Sequence, residues 1–248
     1  MANSGPLYRP LGFSLDAYRA VLNKPDIMTG YRNTLLFVVL GTSMSMILTI
    51  LAAFVFSRKN FMLKRPLMFF CVFTMFFSGG LVPFFLTMRD YGLYNTIWAV
   101  LLPGALSTYN MIIMRTYFQD IPDSLEESAK IDGVSDFTLL VRIILPLSKP
   151  VLAVMILFIS VAYWNAWFYA MVFLQNRRMF PLQLILREIL IASSLEDMTM
   201  GVSGADKEAL GITIKYATII VATLPVLFVY PFIQKYFVKG VMIGAIKG

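Results

Sequence analysis

Five stretches of this chain contain no Asp, Glu, Lys or Arg over a length that can cross a hydrocarbon layer, and this constrains the fold more than any other feature. They lie between Arg32 and Arg58, Arg65 and Arg89, Asp90 and Arg115, Lys149 and Arg177, and Lys215 and Lys235. A helical crossing takes about 20 residues. The last stretch is the shortest, and it lengthens toward Gly211 if Lys215 lays its stem along apolar surface and places its ammonium at the interface. The pattern predicts an all-α, polytopic transmembrane helix bundle with five spans, at about 34–56, 67–88, 95–115, 150–174 and 212–234. A mean hydropathy of +0.74 over 248 residues supports lipid as the solvent, because so apolar a chain cannot hide its surface in one soluble core.

Composition also removes whole classes of chemistry. Histidine is absent and the one cysteine, Cys71, falls inside a span. Neither a disulfide framework nor a cysteine zinc site is available, and the usual general base near neutral pH is missing. An enzyme and a metal site are therefore not expected. The net charge of +7 fits juxtamembrane lysine and arginine facing anionic lipid better than nucleic acid. No Gly-x-x-x-x-Gly-Lys-Ser/Thr loop occurs, and Gly201-Val-Ser-Gly-Ala-Asp-Lys207 has the wrong order, so no phosphate cradle of that type is present.

The 21 lysines and arginines divide eleven to ten between the two sides, which does not orient the chain. Their density does. Arg58, Lys59, Lys64 and Arg65 crowd the short Ser57–Pro66 loop without an acid, and Lys235, Lys239 and Lys247 follow the last span. Both segments, with 119–150, are placed in the cytoplasm by the positive-inside rule, and the N-terminus outside. Residues 1–33 carry no signal-like apolar run and no span of their own, and form an external N-terminal segment.

The polar segment 120–146 reads as two short helices with a break. Pro122 suits a first helical turn, Asp123, Glu126 and Glu127 place negative charge at its positive end, and Gly133 supplies a left-handed stop. Ser135 can cap the next helix, which Leu145-Pro146 ends. On the first helix Leu125, Ser128, Ala129 and Asp132 share a face of small side chains that permits close approach of another surface. Periodicity alone suits an amphipathic loop helix lying on the bilayer equally well.

The order Glu127-Ser128-Ala129, three residues, Gly133, nine residues, Ile143, one residue, Leu145-Pro146 resembles the EAA loop of ABC importer permeases, the binding-protein-dependent inner-membrane components of type I fold. The likeness covers nearly the whole chain. It is carried further by Phe73-Thr-Met-Phe-Phe-Ser-Gly-Gly80, Ile112-Ile-Met-Arg-Thr-Tyr-Phe118, Leu145-Pro-Leu-Ser-Lys-Pro-Val-Leu-Ala153 and Pro181-Leu-Gln-Leu-Ile-Leu-Arg-Glu-Ile-Leu190. Within the family it is closest to carbohydrate-uptake permeases of the maltose type, and among them to those for complex or uronate-containing oligosaccharides. Ser128 stands where the second alanine usually does. Members normally have six spans, and the five found here fit spans two to six.

The resemblance implies a permease subunit that moves an oligosaccharide, an acidic one such as an alginate or aldouronate in preference to a neutral one, across a bacterial cytoplasmic membrane. Its implied partners are a second homologous permease, an ABC ATPase dimer that binds the ATP and magnesium, an extracytoplasmic solute-binding protein, and lipid; this chain itself holds no cofactor and no metal. It assigns ATPase coupling to Glu127, Ser128, Ala129, Asp132, Gly133, Ile143, Leu145 and Pro146. It assigns contact with the ATPase to the tail at 238–248, with Gly240, Gly244 and Lys247, where glycine lets a chain pass a narrow groove. By the same likeness the external loop 175–211, with Arg177, Arg178, Ser193, Ser194, Gly201 and Gly204, meets the binding protein.

Read from the residues, 181–190 is an amphipathic helix in the outer interface and Ser193–Gly204 a mobile loop. Arg177 and Arg178 suit a polyuronate, or equally a lipid headgroup. Tyr163, Trp164, Asn165 and Trp167 are candidates for the substrate pathway, since sugars stack on aromatic rings and bond amides. An interfacial aromatic belt explains the same residues as well. The competing function, a self-contained channel or ion-coupled carrier, usually places ionisable residues within its spans, and the uncharged tracts hold none.

Overall fold

A computed structural model describes residues 15–199, 213, 215–225, 227 and 228. The described residues form helices and connecting turns. Gly201, Gly204, Gly240, Gly244 and Lys247 lie outside them.

After the short α1 (Asp16–Leu22), the chain enters α2 (Pro25–Ser57), a helix of 33 residues and about 50 Å at 1.5 Å per residue. It starts well before the span predicted at 34, because Pro25 at the first turn presets the helical φ and Asp26 meets the positive end of the dipole. α2 has an inward stripe of small or hydroxylated residues, with Gly30, Thr34, Gly41, Thr42, Ser45, Thr49 and Ala53 all buried. Its other face exposes Leu35, Val39, Ile47, Leu51 and Val55. Small residues inward and branched apolar residues outward is the arrangement of a helix that packs on helices and faces lipid. The helices it packs against most are α6 (Thr108–Gln119), α10 (Lys149–Trp164) and α12 (Leu182–Thr199).

The next three uncharged tracts are broken, where the sequence pattern predicted continuous spans. The second becomes α3 (Lys64–Phe76) and α4 (Leu81–Asp90), bent by 116° where Gly80 takes φ 88°. The third is interrupted by a tight turn at Leu102–Gly104 between α5 (Trp98–Leu101) and α6, since Pro103 withholds an amide donor and Ser107 recaps the chain by accepting from the Asn110 amide. The fourth breaks after Trp164 and resumes as α11 (Phe168–Phe173). Taken singly, only α2 among the described helices is long and apolar enough to cross, or up to three spans if each bent pair counts as one.

Between α6 and α10 lie α7 (Asp123–Ile131), α8 (Asp136–Leu139), a π turn over Leu140–Ile144 and α9 (Leu145–Leu147), and the α8–α9 segment bends by 86° into α10. The main core joins Phe37, Met111, Met114, Phe118, Leu139 and Ile144 with Tyr163. A second core at the opposite end joins Val21, Ile27, Trp164, Leu182 and Ile185. α12 runs to Thr199, so 193–199, with Ser193 and Ser194, is helical rather than the loop expected.

Candidate functional site

Two features, one at the last turn of α2 and one beside its middle, hold the candidate functional residues. The first is built around α7. Asp123 and Glu126 occupy its first turn. Its end is a full glycine stop: the Gly133 amide donates to the Lys130 carbonyl at 3.0 Å, the Val134 amide donates to the Ala129 carbonyl at 3.0 Å, and Gly133 has φ 73°. Ser135 then caps α8 by accepting from the Thr138 amide. The expected helix, stop and recap are all present.

α7 is fastened to the last turn of α2. Arg58 ion-pairs with Glu126, and both side chains are mostly buried. Lys130 holds the other carboxylate oxygen of Glu126 at 2.7 Å, and Lys59 reaches Asp123 at 2.5 Å. The Arg58 guanidinium also lies 4.7 Å over the Phe54 ring and donates to the Ser57 hydroxyl. No glycine ends α2; instead Arg115 donates to the Phe56 carbonyl at 3.1 Å, meeting a backbone acceptor that the helix end leaves open. The hydrogen bond to Asp123 raises Lys59 above the ordinary lysine range, and Glu126 does the same for Lys130. Burial, with Arg115 and Arg58 nearby, lowers Lys64. A cleft of about 400 Å³ separates the two elements, lined by Arg58, Lys59, Glu126, Glu127, Lys130 and Asp136.

Glu127, Ser128, Asp132, Gly133 and Pro146 are exposed, while Ile143 and Leu145 are half-buried against the main core. Ala129 differs from the sequence expectation: it is 4% exposed, and its small side chain lets α7 approach this chain's own core rather than an outside surface. The surface that α7 and its neighbour do present includes Leu125 and the strongly exposed Ile131 and Phe137. Sequence reasoning missed Ile131 and Phe137 as part of this face, and missed Arg58 as the anchor of Glu126. The acid-free Arg58-Lys59 loop facing the acid-rich start of α7 was the available signal.

The second feature is a cavity of about 400 Å³ beside the break between α10 and α11. Tyr163, Asn165 and Trp167 line it, joined by Ser107, Asn110 and Tyr169, which the sequence did not single out. Trp164 does not belong there. It is buried in the second core with its ring 6.3 Å from Tyr31, because the α10 face that carries it points away from the cavity. Tyr163 forms the cavity floor. Its hydroxyl donates to the Leu101 carbonyl at 2.9 Å and lies 3.4 Å from Ser45, which donates to the Gly104 carbonyl. A Cβ on Gly41 would stand 2.5 Å from the Tyr163 ring. Asn165 donates its amide to the Val161 carbonyl. Trp167 carries the Arg187 guanidinium of α12 at 4.0 Å from its ring centre, and Arg187 also donates toward the Met171 sulfur at 2.6 Å.

Arg177 is committed elsewhere. It binds Asp26 at 2.9 Å and Glu188 at 3.1 Å, tying the start of α2 to α12, and the Asp26 hydrogen bond leads the causes that raise it above the usual arginine range. Arg178 is exposed, and its carbonyl accepts from Asn33.

Comparison with known proteins bears on the chain as a whole. Residues 45–243 match the family described as binding-protein-dependent transport system inner membrane component. The polygalacturonan/rhamnogalacturonan transport system permease protein YtcP of Bacillus subtilis is 45% identical over 96% of this chain and 84% of its own length. Protein LplC of the same organism is 40% identical over 96% of this chain and 81% of its own. Among solved structures, a chain of a bacterial ABC transporter involved in the import of the acidic polysaccharide alginate superposes with a TM-score of 0.84 at 34% identity, covering 94% of this chain and 84% of that one.

Proposed function

The chain belongs to the family of binding-protein-dependent transport system inner membrane components, and from that premise we propose that it is a permease subunit importing an acidic oligosaccharide, driven by a separate ATPase docked on α7. The observation that carries this reading is the pairing of an exposed, glycine-stopped α7 with a mostly buried Arg58–Glu126 link into α2. A push on α7 reaches the helix that runs past both sites. Closure of an ATPase dimer would then move α2, α6 and α10 together and switch the cavity at Asn165 and Trp167 between the two sides of the membrane, as rigid packed bodies do in alternating access.

The basic residues Arg58, Lys59, Lys64 and Arg65 cluster at the α7 end, which supports a cytoplasmic position for that end and an external position for α12. The apolar surface that α3 leaves open, with Phe69 and Phe73, suits lipid or a second homologous permease. An extracytoplasmic binding protein would deliver the sugar to the face formed by Arg178 and α12. Acidity of the substrate is supported by two relatives, one a polygalacturonan/rhamnogalacturonan permease and the other part of a transporter involved in the import of the acidic polysaccharide alginate.

The test is to tag the chain in its native host, solubilise it gently and identify what co-purifies by mass spectrometry. An ATPase, a second permease and a binding protein that retains oligouronate are expected. Recovery of the chain by itself, with gradient-driven uptake in vesicles, would replace this reading with that of a self-contained carrier.

A further inference from the structure

The two arginines of the α12 end that the structure places in detail are in opposite electrostatic situations. Arg177 holds two carboxylates, Asp26 and Glu188. Arg187 holds none: among the described residues its contacts are the Trp167 ring and the Met171 sulfur. Its sequence neighbour Glu188 would be the obvious acid to pair with it, but adjacent residues on a helix do not face each other, and Arg177 has taken that carboxylate. A half-buried guanidinium with no anion among the described residues is thus held over a tryptophan that lines the cavity.

Stacking occupies the flat face of a guanidinium, and the Met171 sulfur takes one Nη1 hydrogen, which leaves the remaining in-plane N–H groups to take a carboxylate in parallel hydrogen bonds. The surrounding wall is aromatic and amide: Trp167 and Tyr169 can cover the apolar face of a pyranose, and Asn110 and Asn165 can meet its hydroxyls. A uronate residue presents these two chemistries side by side, a ring face and a carboxylate on the ring edge. We propose that Arg187 is a specificity-determining residue that binds a uronate carboxylate of the sugar as it passes Trp167. The assignment rests on the acidic-oligosaccharide reading above and adds the residue that distinguishes acid from neutral sugar within the membrane subunit. Cation–π contact with Trp167 keeps the guanidinium placed between substrates, so that no protein carboxylate has to be displaced when the sugar arrives.

The experiment uses the complete importer in proteoliposomes, with its binding protein saturated by either a galacturonate trisaccharide or the methyl ester of the same trisaccharide. For Arg187→Gln, uptake of the acid falls about tenfold or more, as expected for the loss of a charged hydrogen-bonding partner, while uptake of the ester stays within about twofold of wild type. Arg187→Lys, which keeps the charge, retains acid uptake within a few fold, and binding-protein-stimulated ATP hydrolysis by both variants stays near wild type and reports an intact assembly. An equal fall on acid and ester would make Arg187 a packing residue and overturn the proposal, as would no fall on either. A wild-type importer that carries the ester and not the acid would overturn the acidic substrate class itself, and this proposal with it.

Discussion

The α7 end of α2 and the cavity beside its middle solve opposite problems. At the α7 end charges are spent: Arg58, Lys59 and Lys130 each have a carboxylate, and the result is a short helix locked to a long one while its outer surface stays open. At the cavity end hydroxyls and amides are spent on backbone carbonyls, as with Tyr163 on Leu101 and Asn165 on Val161, and the helices themselves are broken. Ion pairs with mostly buried side chains transmit force because separating them exposes unpaired charge, whereas helix breaks open space where a ligand can sit. On the proposed reading, the first takes the push and the second yields to it.

The comparison is broken most severely in the middle of α2. Gly41→Leu drives a side chain into the Tyr163 ring, where even a Cβ would stand 2.5 Å away. Overpacking of this kind costs about 3 kcal/mol, so the variant should give little folded protein in membranes and a lower melting temperature in detergent.

The next largest effect belongs to Arg58→Ala. It strands Glu126 apart from Lys130, with an expected loss of about 1.5–3 kcal/mol of coupling between α7 and α2. Measured as sugar transported per ATP hydrolysed, coupling should fall several fold, and the swap Arg58→Glu with Glu126→Arg should restore part of it. Restoration would show that the link is a charge pair rather than a packing contact.

Gly133→Val places a β-branched residue at φ 73°, which costs about 1–2 kcal/mol of helix-stop geometry although no neighbour lies within contact of its Cβ. Uptake should drop while the cavity end, probed by Trp167 fluorescence, is unchanged. The smallest effect is expected from Lys59→Ala, since Lys59 and Asp123 are both exposed. Coupling should be indistinguishable from wild type in about 0.15 M salt, where exposed pairs are screened.

How much of this was legible in the sequence depended on whether the signal was local. Pro122, Gly133 and Ser135 each act on the backbone within a few residues, so α7 and its stop were readable without tertiary information. The Arg58–Glu126 link joins residues 68 positions apart and could be suspected only from charge contrast. In the apolar tracts, composition reports that a segment belongs in lipid but says little about whether its helix is continuous. Gly80 and Pro103 were visible, yet a glycine or proline is tolerated in a membrane helix when neighbours satisfy the backbone, so neither alone marks a break. The interruption at Asn165–Trp167 had a larger consequence. It resets which way side chains point, and so it separates Trp164, in the second core, from Trp167, on the cavity, although the sequence grouped them. Ser107 and Asn110 line that cavity from the start of α6, and Arg187 of α12 reaches the Trp167 ring, which only the packing of these elements reveals.

The central claim is that force applied at α7 opens and closes the cavity at Trp167. Its most direct measurement is uptake of a galacturonate oligosaccharide by the complete importer in proteoliposomes, with ATP inside or absent, for wild type and for the Arg58/Glu126 variants. The account predicts uptake that requires ATP, falls several fold in Arg58→Ala while ATP hydrolysis continues, and returns in part in the charge-swapped double variant. Uptake that proceeds at the same rate without ATP, or that ignores the Arg58–Glu126 pair, would contradict it.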